Sequence, residues 1–107
     1  MQLAKFLNNI FKNDGFILID AESKKHIIGS PKKKIPVTLK LLNKKLHYKL
    51  LLRPDLYFGE AYSDGDIVIE NGTLTDFLDL ALMNIGRGKI NFFSKLINKL
   101  SGSYRYL

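Results

Sequence analysis

The segment Phe16-Ile17-Leu18-Ile19-Asp20 limits the folds open to this chain more than any other stretch. It is a short, continuous apolar run with β-branched residues, which is typical of a strand buried on both faces. In residues 2–12 the apolar side chains do not form a continuous run. They recur at helical spacing and predict one amphipathic helix. Gly15 is expected to end that helix with a positive φ. Together, strand and helix signals predict an α+β domain.

Four more segments are predicted as strands. His26–Gly29 follows a polar turn and returns along the first strand. Residues 35–42 and 46–52 both alternate in part, and the Asn43-Lys44 pair between them predicts a β-hairpin. Residues 67–69 form a fifth short run. We therefore expect a small, mostly antiparallel sheet of about five strands, with helices packed on one face.

Three more helices are predicted. Pro54 suits the first turn of a helix over residues 55–62. Thr73 and Asp76 resemble a capping box and predict a helix that runs to a terminating Gly86. Residues 89–100 have a third helical stripe. The predicted order is α-β-β-β-β-α-β-α-α.

Length and charge restrict the class of protein. The 107 residues predict a single domain, 1–107, and the absence of cysteine excludes a disulfide framework or a thiol nucleophile. The longest apolar runs are four residues, against the roughly 20 that cross a bilayer. The net charge of +7 and the pI near 9.7 favour a polyanionic partner, either a membrane surface or a nucleic acid. A lysine-rich composition without such a partner is the alternative.

The sequence gives little sign of catalysis. His26 and His47 are predicted to be ordinary strand residues, without a carboxylate at ligand spacing. Glu60 and Asp64 flank the Tyr62 hydroxyl and could form an acid–base pair. The structural interpretation is that Glu60 accepts backbone N–H bonds where helix turns into strand. There is no glycine-rich phosphate loop, so we expect no catalytic, cofactor or metal site in this chain.

Two basic segments predict a binding role, and the amphipathic helix over residues 2–12 has a similar basic character. One is the loop Lys32-Lys33-Lys34 after Pro31, and the other is the 89–100 helix, whose basic and apolar side chains suit a membrane interface. In both cases a solvated surface is the alternative. Nucleic acid is the less favoured polyanion, because basic and aromatic residues do not interleave on a predicted strand. The predicted membrane contacts are Lys32, Lys33, Lys34, Lys89, Phe92, Phe93, Lys95, Leu96 and Lys99.

The run 55–67, D-L-Y-F-G-E-A-Y-S-D-G-D-I, resembles the G-E-[AS]-Y-[MI]-D-G pattern of one enzyme family. That pattern marks the amino-terminal domain of cyclopropane-fatty-acyl-phospholipid synthases, which use S-adenosylmethionine. The similarity extends over about residues 14–85, with Ser63 in place of the usual Met and Lys24 in place of a turn glycine. The motif residues, expected to be mainly structural, are Gly59, Glu60, Tyr62, Asp64 and Gly65.

This resemblance implies a fold like that of sterol carrier protein 2 and a part in lipid engagement. In the family, a separate methyltransferase domain binds S-adenosylmethionine and transfers a methylene to an unsaturated phospholipid acyl chain. That domain is absent from these 107 residues, so the end after Ser101-Gly102-Ser103 suggests a cut or truncated product. The implied partners are an anionic phospholipid membrane and the catalytic domain, with a homo-oligomer left open. The implied location is the cytoplasm, peripheral at the inner face of the membrane. A freestanding lipid carrier is the alternative.

Overall fold

The computed structural model describes residues 1–85, in which four helices and a four-stranded sheet form an α+β arrangement. The predicted helix over residues 89–100 lies outside this range, as does Gly86. Strands β1–β4 and helices α1–α4 are numbered in chain order. They are α1 (Gln2–Ile10), β1 (Gly15–Ile19), β2 (Lys25–Gly29), β3 (Thr38–Leu41), α2 (Leu46–Leu52), α3 (Pro54–Asp64), β4 (Ile67–Asn71) and α4 (Leu74–Ile85).

The sheet is mixed, with the order β2-β1-β3-β4. Strands β1 and β2 pair antiparallel, and Gly15 lies opposite Gly29, so β2 ends where β1 begins. The 30–37 loop then starts β3 beside that same end, which makes β1 and β3 parallel. Strand β4 returns antiparallel to β3. The prediction of about five strands in a mostly antiparallel sheet is therefore wrong in strand number, and it missed the parallel pair.

The missing strand is residues 46–52, which form helix α2 and not the second half of a hairpin. The Asn43 side chain accepts the N–H of Lys45, and its carbonyl accepts the N–H of Leu46, so the chain turns into a helix. Leu46 and Leu50 are buried, and their spacing fits both alternation and an α-helix. No β-branched residue occurs in the segment, and leucine is a good helix former. Helical propensity and the turn at Asn43 decide the outcome.

Gly15 has a different role from the predicted one. It lies in β1, and the positive φ of 68° belongs to Asp14. A Cβ atom on Gly15 would lie 1.9 Å from the backbone oxygen of Ile28. Gly15 is thus required because strand β2 approaches too closely for any side chain.

Other predicted elements are confirmed. Helix α3 runs from Pro54 to Asp64, and its C-cap residue Gly65 has a left-handed φ of 81°. The capping box of α4 is formed in both directions: the Thr73 hydroxyl accepts the Asp76 N–H at 3.1 Å, and Asp76 accepts the Thr73 N–H at 3.0 Å. Strand β1 is buried at nearly every position, as its apolar run predicts.

The core lies between the helices and one face of the sheet. Alternate strand residues, among them Leu18, Leu39 and Ile67, point to this face and are buried. Every described helix contributes buried side chains to the same cluster. The other face carries the Lys40–Glu70 ion pair at 3.7 Å and the exposed side chain of Ile27. The helices therefore cover one face, as predicted.

Candidate functional site

An apolar cleft of about 680 Å³ lies between the helices and the sheet. We call it the central cleft. Its floor is formed by sheet residues that include Phe16, Leu18 and Leu41, each only 1% exposed. The floor therefore shows little surface to water. Half-buried Phe6 and Ile10 of α1 line a more exposed, outer part of the cleft.

Aromatic rings form much of the cleft wall. Phe77 of α4 packs edge-on against Phe16 at 5.2 Å and stacks with Phe58 of α3 at 5.3 Å. Phe11, directly after α1, packs edge-on against Phe16 at 4.9 Å. Leu50 completes the wall from α2. Rings in these geometries stabilise one another beyond the effect of the area that they bury. These contacts therefore stabilise the arrangement of the aromatic side chains in the wall.

The opening of the cleft carries its polar groups. Asn9, Lys12 and Asn84 line the cleft, and every other described lining residue is apolar. The Asn84 side chain accepts the N–H of Asn13 at 2.7 Å and donates to the Leu80 carbonyl at 2.8 Å. This amide therefore ties the end of α1 to α4 beside the opening.

An apolar recess with a few polar groups at its opening suits an apolar ligand with one polar end. Binding pockets for small molecules commonly enclose roughly 300–1,000 Å³ and are lined mainly by apolar side chains. A hydrocarbon chain in the cleft would lose contact with water, while its head could stay near Lys12 and the two asparagines. Sequence reasoning missed this cleft, because its walls come from four helices whose side chains were assigned simply to the core.

The residues of the family motif lie along α3 and at its end. Gly59 is buried and Tyr62 is half-buried, with its ring stacked on Phe58 at 6.4 Å. Glu60 is exposed in the middle of α3, and backbone bonds close the turn in its place. The N–H groups of Gly65 and Asp66 bond to the carbonyls of Tyr62 and Ala61. The expectation that Glu60 binds this turn is therefore wrong.

The loop of Lys32, Lys33 and Lys34 is exposed and is attached to the start of β1. One carboxylate oxygen of Asp14 accepts the N–H of Lys32 and of Gly15, each at 2.8 Å. The Lys32 bond lowers the pKa of Asp14, burial opposes this, and the Gly15 bond and the charges of Lys32 and Lys33 lower it further. Lys33 also lines a small cavity of about 120 Å³ with Asp14, Asp76 and Asp79. These carboxylates offset part of the positive charge of the loop.

The remaining predicted contacts, Lys89, Phe92, Phe93, Lys95, Leu96 and Lys99, lie outside the described residues. Among residues 1–85, no group of three or more metal-ligating side chains is placed to hold a metal ion. Over the same range, no helix has both the length and the apolar character needed to cross a bilayer.

A polar cluster that the sequence did not reveal surrounds the β1–β2 turn. Asp20 is buried, and its Oδ2 lies 2.8 Å from Nε2 of His26, while its Oδ1 accepts the N–H groups of Glu22 and Lys24. Burial raises the pKa of Asp20, but these hydrogen bonds outweigh it and lower the pKa to about 2. His47 of α2 accepts the N–H of Ala21 at 3.0 Å. The cluster fastens a turn to a helix, and the pairing was missed because Asp20 was read only as the end of a strand.

Comparison with known proteins gives no further assignment. No family model matches the chain, and no curated protein is significantly similar to it.

Proposed function

We propose that this chain is a non-catalytic lipid-binding domain that holds a phospholipid acyl chain in the central cleft. The cleft itself is the observation that carries the proposal. An apolar cavity without a ligand loses the dispersion contacts of its lining and does not attract water. A hydrocarbon chain restores those contacts. The basic character of the chain suits the anionic phosphate of the head group.

The proposal includes membership of the cyclopropane-fatty-acyl-phospholipid synthase family, with this chain as its amino-terminal domain. The G-E-A-Y-S-D-G run, residues 59–65, supports that assignment. The α+β architecture with an apolar cleft would suit the finer assignment to a fold like that of sterol carrier protein 2. In this role the domain acts in the cytoplasm, at the inner face of the membrane. A separate methyltransferase domain would bind S-adenosylmethionine and transfer the methylene group.

A freestanding lipid carrier is the second candidate, because the cleft needs no catalytic domain in order to hold a lipid. A carrier moves phospholipid between vesicles by itself, whereas a docking domain binds lipid without transferring it. Transfer of a fluorescent phospholipid from donor to acceptor vesicles separates the two. Nucleic-acid binding, the least favoured reading, predicts a shift of oligonucleotide mobility and no saturable binding of an acyl probe.

The test is binding of a fluorescent polyene fatty acid, together with native mass spectrometry of the purified chain. We expect saturable binding and a co-purifying acyl species. Ala81 of α4 is buried and lines the cleft, so Ala81→Phe should weaken probe binding by about tenfold or more, since it fills the space. Met83 is on the same helix but is 57% exposed. Met83→Phe is the matched control and should bind like the parent chain.

Lack of saturable probe binding by a folded parent chain would overturn the proposal. If Ala81→Phe does not fold, displacement of the probe by unlabelled phospholipid is the second measurement. Failure of phospholipid to displace the probe would contradict a phospholipid site.

A further inference from the structure

Helix α2 presents an exposed face on which basic and apolar side chains alternate. Lys45, Tyr48, Lys49 and Leu52 follow one another at spacings of three, one and three residues, so they share one side of the helix. The opposite side, with Leu46 and Leu50, is buried in the core. Tyr48 is 54% exposed and Leu52 is 71% exposed. An exposed leucine beside an exposed tyrosine is an apolar surface that the core does not use.

The segment of sequence that carries this face is strongly positive. Residues 23–54 contain no aspartate or glutamate, and all ten carboxylate side chains of the sequence lie within residues 14–22 and 55–79. Helix α2 is in the last third of that carboxylate-free segment. The lysines and arginines of the carboxylate-free segment, residues 23–54, are Lys24, Lys25, Lys32, Lys33, Lys34, Lys40, Lys44, Lys45, Lys49 and Arg53.

The α2 face combines lysines with exposed apolar side chains, and in this it differs from the loop of Lys32, Lys33 and Lys34. The loop lies against Asp14 and near Asp76 and Asp79, which offset its charge. The α2 face adds apolar groups to its lysines. Lys49 lies half-buried with its Nζ 5.2 Å from the centre of the Tyr57 ring, which is a cation–π contact.

We propose that the exposed face of α2 docks on an anionic phospholipid bilayer. Tyr48 and Leu52 enter the interfacial region, and Lys44, Lys45 and Lys49 contact lipid phosphates. A bilayer fits better than a nucleic acid, because an aliphatic side chain such as Leu52 gains free energy by leaving water for the acyl region. The inference rests on the proposed lipid-binding function and names the surface that brings the domain to its lipid.

Helix α2 lies beside the central cleft, so docking through α2 would bring the cleft close to the bilayer. Leu50 of α2 and the exposed Pro54 at the start of α3 both line the central cleft. A bilayer against the outer face of α2 would therefore lie close to the cleft. An acyl chain could then pass from the bilayer to the cleft beside Leu50 and Pro54.

The experiment is co-sedimentation of the full chain with vesicles of phosphatidylcholine alone, or of equal parts phosphatidylcholine and phosphatidylglycerol, across a salt series. We expect binding to the anionic vesicles only, falling as salt rises. The double variant Tyr48→Ser/Leu52→Ser should weaken it by roughly tenfold or more. The control Ile27→Ser/Ile35→Ser removes two side chains of similar exposure, 67% and 70%, and should leave binding within about twofold.

Charge variants distinguish α2 from the other basic surface. Lys44→Gln/Lys45→Gln should weaken binding by roughly tenfold or more, because each lysine near an anionic surface contributes several-fold. Lys32→Gln/Lys33→Gln removes the same charge elsewhere. An equal or larger loss in this second pair would overturn the inference in favour of the loop. The inference would also be overturned if the parent chain bound neither kind of vesicle, or if it shifted the mobility of an oligonucleotide without binding vesicles.

Binding of the monomeric polyene probe keeps the two proposals separable. The α2 variants leave the cleft intact, so they should bind the probe like the parent chain while they lose vesicle binding. Vesicle binding with no probe binding would contradict the cleft proposal alone. Probe binding in a parent chain that does not bind vesicles would contradict docking by α2 alone.

Discussion

The Oδ2 atom of Asp20 lies 2.8 Å from Nε2 of His26, across the turn between β1 and β2. The same carboxylate accepts two backbone N–H groups through Oδ1. His47 binds the next residue of the turn, Ala21, from helix α2. A buried carboxylate with three hydrogen bonds thus shapes the turn, to which the imidazole of His47 then attaches α2.

Asp20 should make stability depend on pH in acid. Its pKa is about 2 in the folded chain, below the ordinary 3.8. The ionised carboxylate therefore stabilises the fold above pH 3.8, and this contribution is lost as the pH falls toward 2. We expect Asp20→Asn to cost roughly 1–2 kcal/mol at neutral pH, measured by urea unfolding. The difference from the parent chain should shrink on acidification, whereas the exposed Asp79→Asn should show little effect.

Gly15→Ala should destabilise the chain severely. Its new Cβ would lie 1.9 Å from the Ile28 carbonyl oxygen, so strands β1 and β2 would have to separate. We expect a loss of roughly 3 kcal/mol or more, measured by thermal and urea unfolding. Gly65→Ala is the control, because a Cβ atom on Gly65 would have no atom within 4 Å. Only the positive φ of 81° would strain the new alanine, and we expect this to cost about 1–2 kcal/mol. Equal losses in the two variants would contradict the close approach of the strands.

Thr73→Ala should weaken the start of helix α4. The hydroxyl of Thr73 accepts the Asp76 N–H, and its loss typically costs about 1 kcal/mol. Thr73→Ser keeps the oxygen and should retain most of the stability. Denaturant midpoints of the two variants check this, and a similar loss in both would show that the methyl group, not the cap, stabilises the helix.

Phe77→Ala should be among the most costly core substitutions. The Phe77 ring packs against Phe11, Phe16 and Phe58, and removal of such a ring costs about 3–5 kcal/mol. Phe6→Ala removes a half-buried ring of the same size at the outer part of the cleft. It should cost less, as unfolding free energies would show. A larger loss for Phe6 would mean that the aromatic wall is not the centre of the core.

The parts of the fold that could be predicted are those fixed by local chemistry. The Thr73–Asp76 cap, Pro54 at a helix start and the apolar run of β1 each follow from residues close together in sequence. Residues 46–52 could not be assigned from alternation alone, because Leu46 and Leu50 fit a strand and a helix equally well. The absence of β-branched residues there was the available signal.

The candidate site was harder to predict, because it depends on long-range packing. The cleft forms where four helices approach one face of the sheet, and no short stretch of sequence carries that information. Asp20 and His26 meet only because β2 folds back on β1. The exposed lysines and Leu52 of α2 became visible as a surface only once this segment was known to be helical.

Leu41 and Ile67 are neighbours in the sheet, although residues 42–66 and both α2 and α3 lie between them. The two ends of this long excursion are held together by a strand pair. In topological terms it is an elaborated hairpin connection, and closing a longer loop between fixed ends costs little extra free energy. The length and the charge of residues 42–66 can therefore change while the strand order stays the same.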